Sequence, residues 1–314
     1  MIEFQIHDEN GGNGNPFIAV HNNGFIITWN SLNSPTIDYD IQCKIYDFSL
    51  NVINNFIVNT NREGNQTCPM IEILDSGFVV CWSTNNLGIR GQKFNFDGSK
   101  NGDELQISLK IELPQSLVSV KKINNNNYIV LWSSYGQDGS IQGGVAQLFD
   151  NNFNKIGNEF IANNTTIGHQ FPHSVVETTN GFIIFYGLKD NSEYGIFGQL
   201  FDNDGKMIGD EFLVNSTTQN NQQSAYAHNV NNTIMVTWTS YQQDGHDYGI
   251  FCQILNEDCQ KIGDEFQVNK ISEGNQSSPF ICSNKTSCII TWSCYGIGAF
   301  GRLFKKDTSN DTEK

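Results

Sequence analysis

Residues 181–215, GFIIFYGLKDNSEYGIFGQLFDNDGKMIGDEFLVN, read as three short strands separated by turns. An apolar run ends in Tyr186, an alternating run (YGIFGQLFD) follows a polar loop, and a Glu-Phe run follows the turn DNDG. Short runs rich in β-branched and aromatic residues, bounded by Gly and Asn, favour strands over helices. The same pattern occurs six times, so the sequence predicts a chain built from one repeated unit.

An aromatic residue closes the apolar run of every unit, at intervals of 50 to 54 residues. The six are Trp29, Trp82, Trp132, Tyr186, Trp238 and Trp292. The runs before them (FIIT, FVVC, YIVL, FIIF, IMVT and CIIT) lack polar alternation, which is typical of strands buried on both faces. We therefore expect these aromatic side chains to pack between neighbouring units rather than to form a platform for sugars.

A further strand of each unit opens with proline in four copies: PFIAV, PMIEI, PHSVV and PFICS. Proline is tolerated at a strand's first residue, where no ladder hydrogen bond is lost. Six units of four antiparallel strands predict an all-β, six-bladed β-propeller. The chain starts with a Glu-Phe strand (residues 3–7), which is predicted to complete the last blade and remove its free edge. We expect one domain over residues 1–304 and a polar, disordered tail over 305–314.

A small residue recurs in the strand that follows each aromatic position. We expect it to make room for the tryptophan of the adjoining strand or blade. The six positions are Cys43, Gly91, Ala146, Gly198, Cys252 and Gly301. The chain has eight cysteines, none in a zinc-type CxxC spacing, and they are expected to be reduced.

The charge of the chain narrows its possible partners. Its net charge is -15, with 33 acidic against 18 basic residues. Binding of nucleic acid needs clustered Lys and Arg, so no nucleic-acid partner is expected, and attraction to anionic membrane surfaces is disfavoured for the same reason. No apolar run reaches membrane-spanning length. The start, MIEFQIHDEN, lacks the pattern of a signal peptide, so a cytoplasmic location is expected, with secretion left open.

The units resemble repeats of roughly fifty residues found in large secreted bacterial proteins, often near calcium-binding repeats of haemolysin type. The resemblance rests on GFIITW from Gly24, SYQQDG from Ser240, YGIFGQLFD from Tyr194, KIGDEFQVN from Lys261 and GNQSSP from Gly274. It covers nearly the whole chain and implies no particular activity. The chain departs from that family in lacking a secretion signal and a glycine-rich nonapeptide array.

No motif for catalysis or for a transition metal stands out. The closest histidine pair, His169 and His173, lies on a strand-and-loop segment, where a spacing of four creates no shared face. No nucleophile elbow, P-loop or dinucleotide fingerprint occurs, and no carboxylate pair recurs between units. The sequence therefore predicts no enzyme, no metal and no cofactor. Calcium is the one ion kept open, and its candidate ligands are Asp138, Asp202, Asp204 and Asp244.

Polar and aromatic residues recur where the proline strands begin and the tryptophan strands end. Antiparallel strands bring these loops to one face, which is predicted to bind a ligand. The predicted residues are Gln66, Tyr135, Gln137, Asp138, Gln170, Gln222, Tyr241, Gln242, Asp244, Gln276 and Tyr295. An alternative with equal support is that the glutamines cap loop backbone groups and Asp-Gly forms turns. The predicted function is a scaffold that presents this face to a protein partner. The alternative is a multivalent carbohydrate-binding lectin.

Overall fold

A computed structural model describes residues 4–6, 13–32, 38–85, 87–189, 193–283 and 287–305. These residues form 23 strands and a single 3₁₀ turn, Asn124–Asn126. The strands make six antiparallel sheets, in each of which consecutive strands pair in chain order. The fold is therefore all-β, with six blades in a propeller arrangement, as the sequence predicts.

Blades 1 to 3 each contain four strands. Blade 1 consists of β1 (Asn13–His21), β2 (Gly24–Leu32), β3 (Tyr39–Asp47) and β4 (Val52–Ile57). Blade 2 consists of β5 (Gln66–Leu74), β6 (Gly77–Thr84), β7 (Gly88–Phe94) and β8 (Leu105–Gln106). Blade 3 consists of β9 (Gln115–Lys122), β10 (Tyr128–Tyr135), β11 (Gln142–Phe149) and β12 (Lys155–Ile161).

Blades 4 and 5 repeat this plan, and blade 6 has three strands among the described residues. Blade 4 consists of β13 (Gln170–Thr178), β14 (Gly181–Lys189), β15 (Tyr194–Asp202) and β16 (Met207–Leu213). Blade 5 consists of β17 (Gln222–Val230), β18 (Thr233–Tyr241), β19 (Tyr248–Asn256) and β20 (Lys261–Gln267). Blade 6 consists of β21 (Gln276–Ser283), β22 (Ser287–Cys294) and β23 (Gly298–Lys305).

The chain divides into two compact units. The first holds residues 1–122, 126–137 and 145–160, and the second holds 123–125, 138–144 and 161–314. In the first unit, the first strand of blade 2 contacts the first strands of blades 1 and 3, and in the second unit β17 contacts β13 and β21 in the same way. Within each unit, the first strands of consecutive blades thus lie next to one another.

Apolar side chains from consecutive blades form the cores. In the second unit, one core combines Phe185 and Ile196 of blade 4 with Val236 and Trp238 of blade 5. In the first unit, Ile41 of blade 1 packs in one cluster with side chains of blade 2, Trp82 among them. Within each unit, the apolar runs are therefore covered by side chains of the neighbouring blade. In blade 6 the run of β22 alternates instead, with Ile290 buried and Ile289 36% exposed, so the predicted burial on both faces is wrong there.

The small residue of the repeat makes room for a phenylalanine, so the predicted tryptophan neighbour is wrong at Gly198. A Cβ built on Gly198 would lie 2.5 Å from the ring of Phe212, which is its partner in the adjacent outer strand. The same pairing joins Cys43 to Phe56 in blade 1. The Glu-Phe motif therefore places its aromatic ring over the small position of the neighbouring strand.

Completion of blade 6 by residues 3–7 stays a prediction. Residues 4–6 have no strand assignment, and residues 3 and 7 lie outside the described part of the chain. β23 ends at Lys305, one residue beyond the predicted domain limit, and the rest of the predicted tail lies outside the described residues. Among the described residues, no helix is long and apolar enough to cross a membrane.

Candidate functional site

The structure places the six aligned aromatic residues in the interior. Trp82, Trp132 and Trp238 are fully buried, and the most exposed of the six, Trp292, is 8% exposed. Tyr186 donates a hydrogen bond from its hydroxyl to Glu211 at 2.5 Å, and burial is the largest cause that raises its pKa. Apart from Trp292, which borders a cavity beside β23, these side chains are not accessible to a ligand.

The four glutamines of the predicted ligand face are buried beneath the loops: Gln66, Gln170, Gln222 and Gln276. Gln66 Nε2 donates to the carbonyls of Glu63 and Gly64, and its Oε1 accepts from the indole of Trp82 at 3.0 Å. Gln222 Nε2 donates to loop carbonyls in the same way. This geometry favours loop capping, the alternative left open by the sequence, over ligand contact.

Two loops with a Tyr and a Gln-Asp-Gly run, residues 135–139 and 241–245, also use their polar groups for hydrogen bonds within the protein. Asp138 accepts from the side chain of Asn163 at 3.3 Å, and Asp244 accepts from that of Asn269 at 3.1 Å. Gln137 donates to Glu159 at 2.6 Å. Both aspartates hold the asparagine that follows the outer strand of their own blade. Of the predicted face, Tyr135, Gln242 and Tyr295 are exposed. The half-buried residues are Gln137, Asp138, Tyr241 and Asp244.

The sequence analysis assigned no role to the glutamate of the Glu-Phe motif, which in blades 2 to 5 accepts hydrogen bonds from the linker that precedes the blade. Glu265 accepts hydrogen bonds from the backbone N–H groups of Ser216 and Thr217 at 2.5 and 3.0 Å. Glu211 accepts from the backbone N–H of Thr165 at 3.1 Å. The recurrence of this acid in the sequence reflects architecture.

No group of three or more potential metal ligands occurs among the described residues. In the DNDG turn, Asp202 Oδ1 accepts from the backbone N–H groups of Asp204 and Lys206 at 3.0 and 2.8 Å. Gly205 has a φ of 80°, which suits glycine in a hairpin turn. The residues present therefore build a turn, and calcium binding stays a prediction.

A pocket between the first strands of blades 4 and 5 has the chemistry of a binding site. Its volume is about 390 Å³. It is lined by Phe171, His173, Gly187, Tyr194, Gln222, Gln223 and Ser224. All of these residues belong to the second unit.

Two aromatic rings form a corner of this pocket. The rings of Phe171 and Tyr194 lie 5.5 Å apart at an angle of 56°. His169 stacks on Phe171 with a centroid distance of 5.7 Å. Lys189 places its ammonium 5.8 Å from the centre of the Tyr194 ring. His169 thus contacts one ring and Lys189 the other, and these contacts form the corner without a ligand.

His173 projects from an irregular point of β13. The pairing of β13 with β14 shifts register between Pro172 and Ser174, and the extra residue of this bulge is His173. Its Nε2 atom is buried, and among the described residues it has no hydrogen-bond partner. Burial lowers the pKa of the imidazole from 6.5 to about 4, so the ring is neutral at pH 7. A buried ring nitrogen in this position is available for a hydrogen bond to a ligand.

Blade 5 carries different side chains at the equivalent positions. The strand registers align Phe171 with Gln223 and Tyr194 with Tyr248. In the same alignment Ala225 takes the place of His173. The aromatic corner and the imidazole are therefore particular to blade 4. In the sequence, Phe171 and His173 are marked only by their departure from the repeat. The residues predicted for the ligand face were those that recur between units.

A second cavity, of about 320 Å³, lies beside β23, where its walls include Trp292, Phe300 and Arg302. In the other five sheets a fourth strand pairs with the strand equivalent to β23. The cavity therefore lies where blade 6 has no fourth strand among the described residues, and it is not a candidate ligand site.

Comparison with known proteins supports the fold. No family model and no curated protein matches the chain, so the resemblance to repeats of secreted bacterial proteins stays a prediction. A protein of unknown function from Dyadobacter fermentans has a similar structure, with a TM-score of 0.63 and 9% identity, over 95% of this chain and 96% of that one. At this identity the likeness shows the fold alone.

Two further similar structures are described as carbohydrate-active enzymes. An endo-arabinase from Bacteroides thetaiotaomicron has a TM-score of 0.48 and 9% identity over 94% of both chains. A glycoside hydrolase described as putative, from Parabacteroides distasonis, has a TM-score of 0.43 and 8% identity over 95% of this chain and 88% of that one. These likenesses contradict the prediction that the chain is not an enzyme, which is withdrawn. With TM-scores below 0.5, they assign no reaction to it.

Proposed function

We propose that the protein binds carbohydrate in the pocket between blades 4 and 5. The observation that carries the proposal is an aromatic corner, Phe171 and Tyr194, beside the buried and unpartnered Nε2 of His173. A sugar ring has apolar C–H faces that pack on aromatic rings and hydroxyl groups that need hydrogen-bond partners. The pocket offers both kinds of contact at one place.

The polar groups of the pocket suit hydroxyl groups. His173 is neutral, so its ring has one N–H donor and one acceptor nitrogen, and Gln223 and Ser224 are exposed at the pocket wall. Ser224 has a φ of 56° in a bulge of β17, which turns the strand locally. Amide, hydroxyl and imidazole groups both donate and accept hydrogen bonds, as sugar hydroxyls do.

This proposal takes up the lectin alternative in a changed form. A multivalent lectin needs the same site in several blades, whereas Phe171 and His173 have no equivalents in blade 5. We therefore propose one binding site in place of a ring of weak equivalent sites.

A glycan array with purified protein tests the proposal, followed by titration calorimetry of the best saccharide. Tyr194→Ala removes one wall of the corner and is expected to weaken binding by about tenfold or more, the equivalent of about 1.4 kcal/mol. The matched control is Tyr248→Ala at the same register position of blade 5, which should leave binding unchanged. The proposal fails if the array shows no saturable binding, or if both variants bind like the unchanged protein.

A protein partner is a second candidate, supported by exposed apolar side chains in two loops of blade 6. One loop precedes β21, and the other joins β22 to β23. Ile271, Tyr295 and Ile297 are 55%, 86% and 61% exposed. Apolar side chains grouped on a surface mark interaction sites. Ile271→Ser with Ile297→Ser should abolish capture of a partner while leaving saccharide binding intact. Equal capture by this double variant would count against the candidate.

A further inference from the structure

We infer that Pro172 positions His173 for the ligand, an inference that rests on the proposed carbohydrate site. In each blade the first strand has a bulge, where two of its residues lie opposite the aligned aromatic residue of the second strand. In blade 4 these two residues are Pro172 and His173, opposite Tyr186. Pro172 does not line the pocket, so it acts on a ligand only through its neighbour.

The first residue of this bulge has a positive φ in four of the other five blades. The angle is 50° at Asn15, 52° at Cys68, 56° at Ser224 and 54° at Ser278. A proline ring fixes φ at about −65°, so Pro172 does not adopt this conformation. In blade 3 the position is taken by Leu117, a bulky residue that disfavours a positive φ and does not have one.

The sign of this angle goes together with which residue of the bulge points into the interior. In blade 5, where φ is positive, Ser224 is exposed and Ala225 is buried. Blade 6 has the same arrangement, with an exposed serine followed by a buried proline. In blades 3 and 4 the arrangement is reversed: Leu117 and Pro172 are buried, and the residue after each is half-buried. The proline therefore takes the inward position and leaves His173 to face the pocket.

A glycine of the preceding blade makes room for the inward proline. A Cβ built on Gly144 of β11 would lie 3.4 Å from Cβ of Pro172, and both residues belong to the second unit. The equivalent of Gly144 in blade 4 is Ile196, since each donates its backbone N–H to the asparagine after the outer strand. Ile196 packs in one apolar cluster with Ala225, the inward residue of the next bulge. Pro172 thus occupies the place that Ala225 has in blade 5.

The position of the imidazole follows from this arrangement. A Cβ built on Gly187 would lie 3.0 Å from Nε2 of His173, so the ring lies against the strand position where blade 4 has a glycine. Blade 5 has Thr239 at that position and Ala225 in place of the histidine. Pro172, His173 and Gly187 are therefore three departures from blade 5 that act together. The proline sets the direction of the side chain, and the glycine leaves space for it.

The test changes the residue that sets φ and leaves the pocket wall intact. Pro172→Asn introduces the residue type that has a positive φ at Asn15, so His173 should turn inward. Affinity for the saccharide selected by the glycan array should fall about fivefold, as expected for one lost hydrogen bond. Pro172→Ala keeps a negative φ without strain and should retain the affinity. Ser278→Asn, at the same bulge position of blade 6, is the matched control and should have no effect.

Nuclear magnetic resonance gives a measurement that does not depend on a ligand. A nuclear Overhauser effect between the imidazole protons of His173 and the α protons of Gly187 should be present in the unchanged protein and in Pro172→Ala, and absent in Pro172→Asn. Its loss in Pro172→Ala would contradict the inference, even if Pro172→Asn does not fold.

The outcomes separate the two proposals. If Pro172→Asn keeps both the Overhauser effect and full affinity, the role of Pro172 is wrong and the carbohydrate site stands. If no saccharide binds to the unchanged protein while the Overhauser effect is lost in Pro172→Asn alone, the carbohydrate site falls and the positioning of His173 stands.

Discussion

A Cβ built on Gly187 would lie 3.0 Å from Nε2 of His173. The two residues belong to neighbouring strands, and the missing side chain at Gly187 leaves the imidazole nitrogen facing the pocket. The glycine and the histidine thus create the polar end of the cavity together. The chain keeps an unpartnered buried nitrogen at this point, which reduces stability unless a ligand or water compensates.

Gly187→Ala should close this end of the pocket. The added methyl group is within a few tenths of an ångström of a clash with His173, so stability should change by only about 1 kcal/mol. Binding of saccharide should weaken by about tenfold, because the methyl group takes the place of a ligand hydroxyl. Thermal melting measures the change in stability, and titration calorimetry measures the loss of affinity. Thr239→Ala, at the same register position of blade 5, is the control. Full affinity in Gly187→Ala would place the ligand elsewhere.

The histidine should make stability depend on pH. Its pKa is about 4 in the folded protein against 6.5 in the unfolded chain, so the unfolded chain binds the proton first as pH falls. The contribution of this group is complete above about pH 6.5 and is lost between pH 6.5 and 4, by at most about 3 kcal/mol.

Chemical denaturation at several pH values tests this prediction. His173→Gln should flatten the change between pH 6.5 and 4, whereas His246→Gln, at an exposed position, should keep it. His21 has a lowered pKa as well, also through burial, and contributes with the same sign. An unchanged pH profile in His173→Gln would show that folding does not lower the pKa of this imidazole.

The architecture could be predicted from the sequence because the same structural unit occurs in it six times. The aromatic run, the small residue and the Glu-Phe motif each recur at one position of the unit. An alignment of the units that was wrong by one residue would therefore have broken the pattern in all six copies. The site could not be predicted in this way. Recurring polar residues such as Gln222 hold the repeats together, whereas Phe171 and His173 occur in one blade only. Residues that recur at a fixed position of the repeat serve the structure of the blades. The residues that distinguish the pocket are those that depart from the repeat.

Glu265 should be a large contributor to stability. It accepts four hydrogen bonds, two from backbone N–H groups, one from the Thr217 hydroxyl at 2.5 Å and one from Gln243 at 2.7 Å. Glu265→Ala leaves these donors without their acceptor, which should cost about 2–3 kcal/mol. Its exposed neighbour Asp264, changed to alanine, is the matched control and should cost little. Urea denaturation measures both, and equal midpoints would show that the linker is held by other contacts.

The N-terminal residues should stabilise the fold in the manner of an outer strand. Phe4 lies 5.5 Å from the ring of Tyr46, and Lys44 donates to the carbonyl of Ile6 at 2.7 Å. The same two contacts recur in the second unit, where Phe266 lies 5.9 Å from Phe304 and Arg302 donates to the carbonyl of Val268 at 3.0 Å. Residues 4–6 therefore pack against blade 1 as residues 266–268 pack against blade 6.

Deletion of residues 1–6 removes these contacts and exposes Tyr46 and the apolar edge beneath it. Phe4 is 39% exposed, so its loss should cost less than that of a fully buried phenylalanine, about 1–3 kcal/mol, with a tendency to aggregate. Deletion of residues 306–314 is the matched control and should leave the melting temperature unchanged. Thermal melting and size-exclusion chromatography of the two truncated proteins decide the matter. If both melt like the full chain, the N-terminal residues contribute nothing as an outer strand, and the predicted completion of the last blade is wrong.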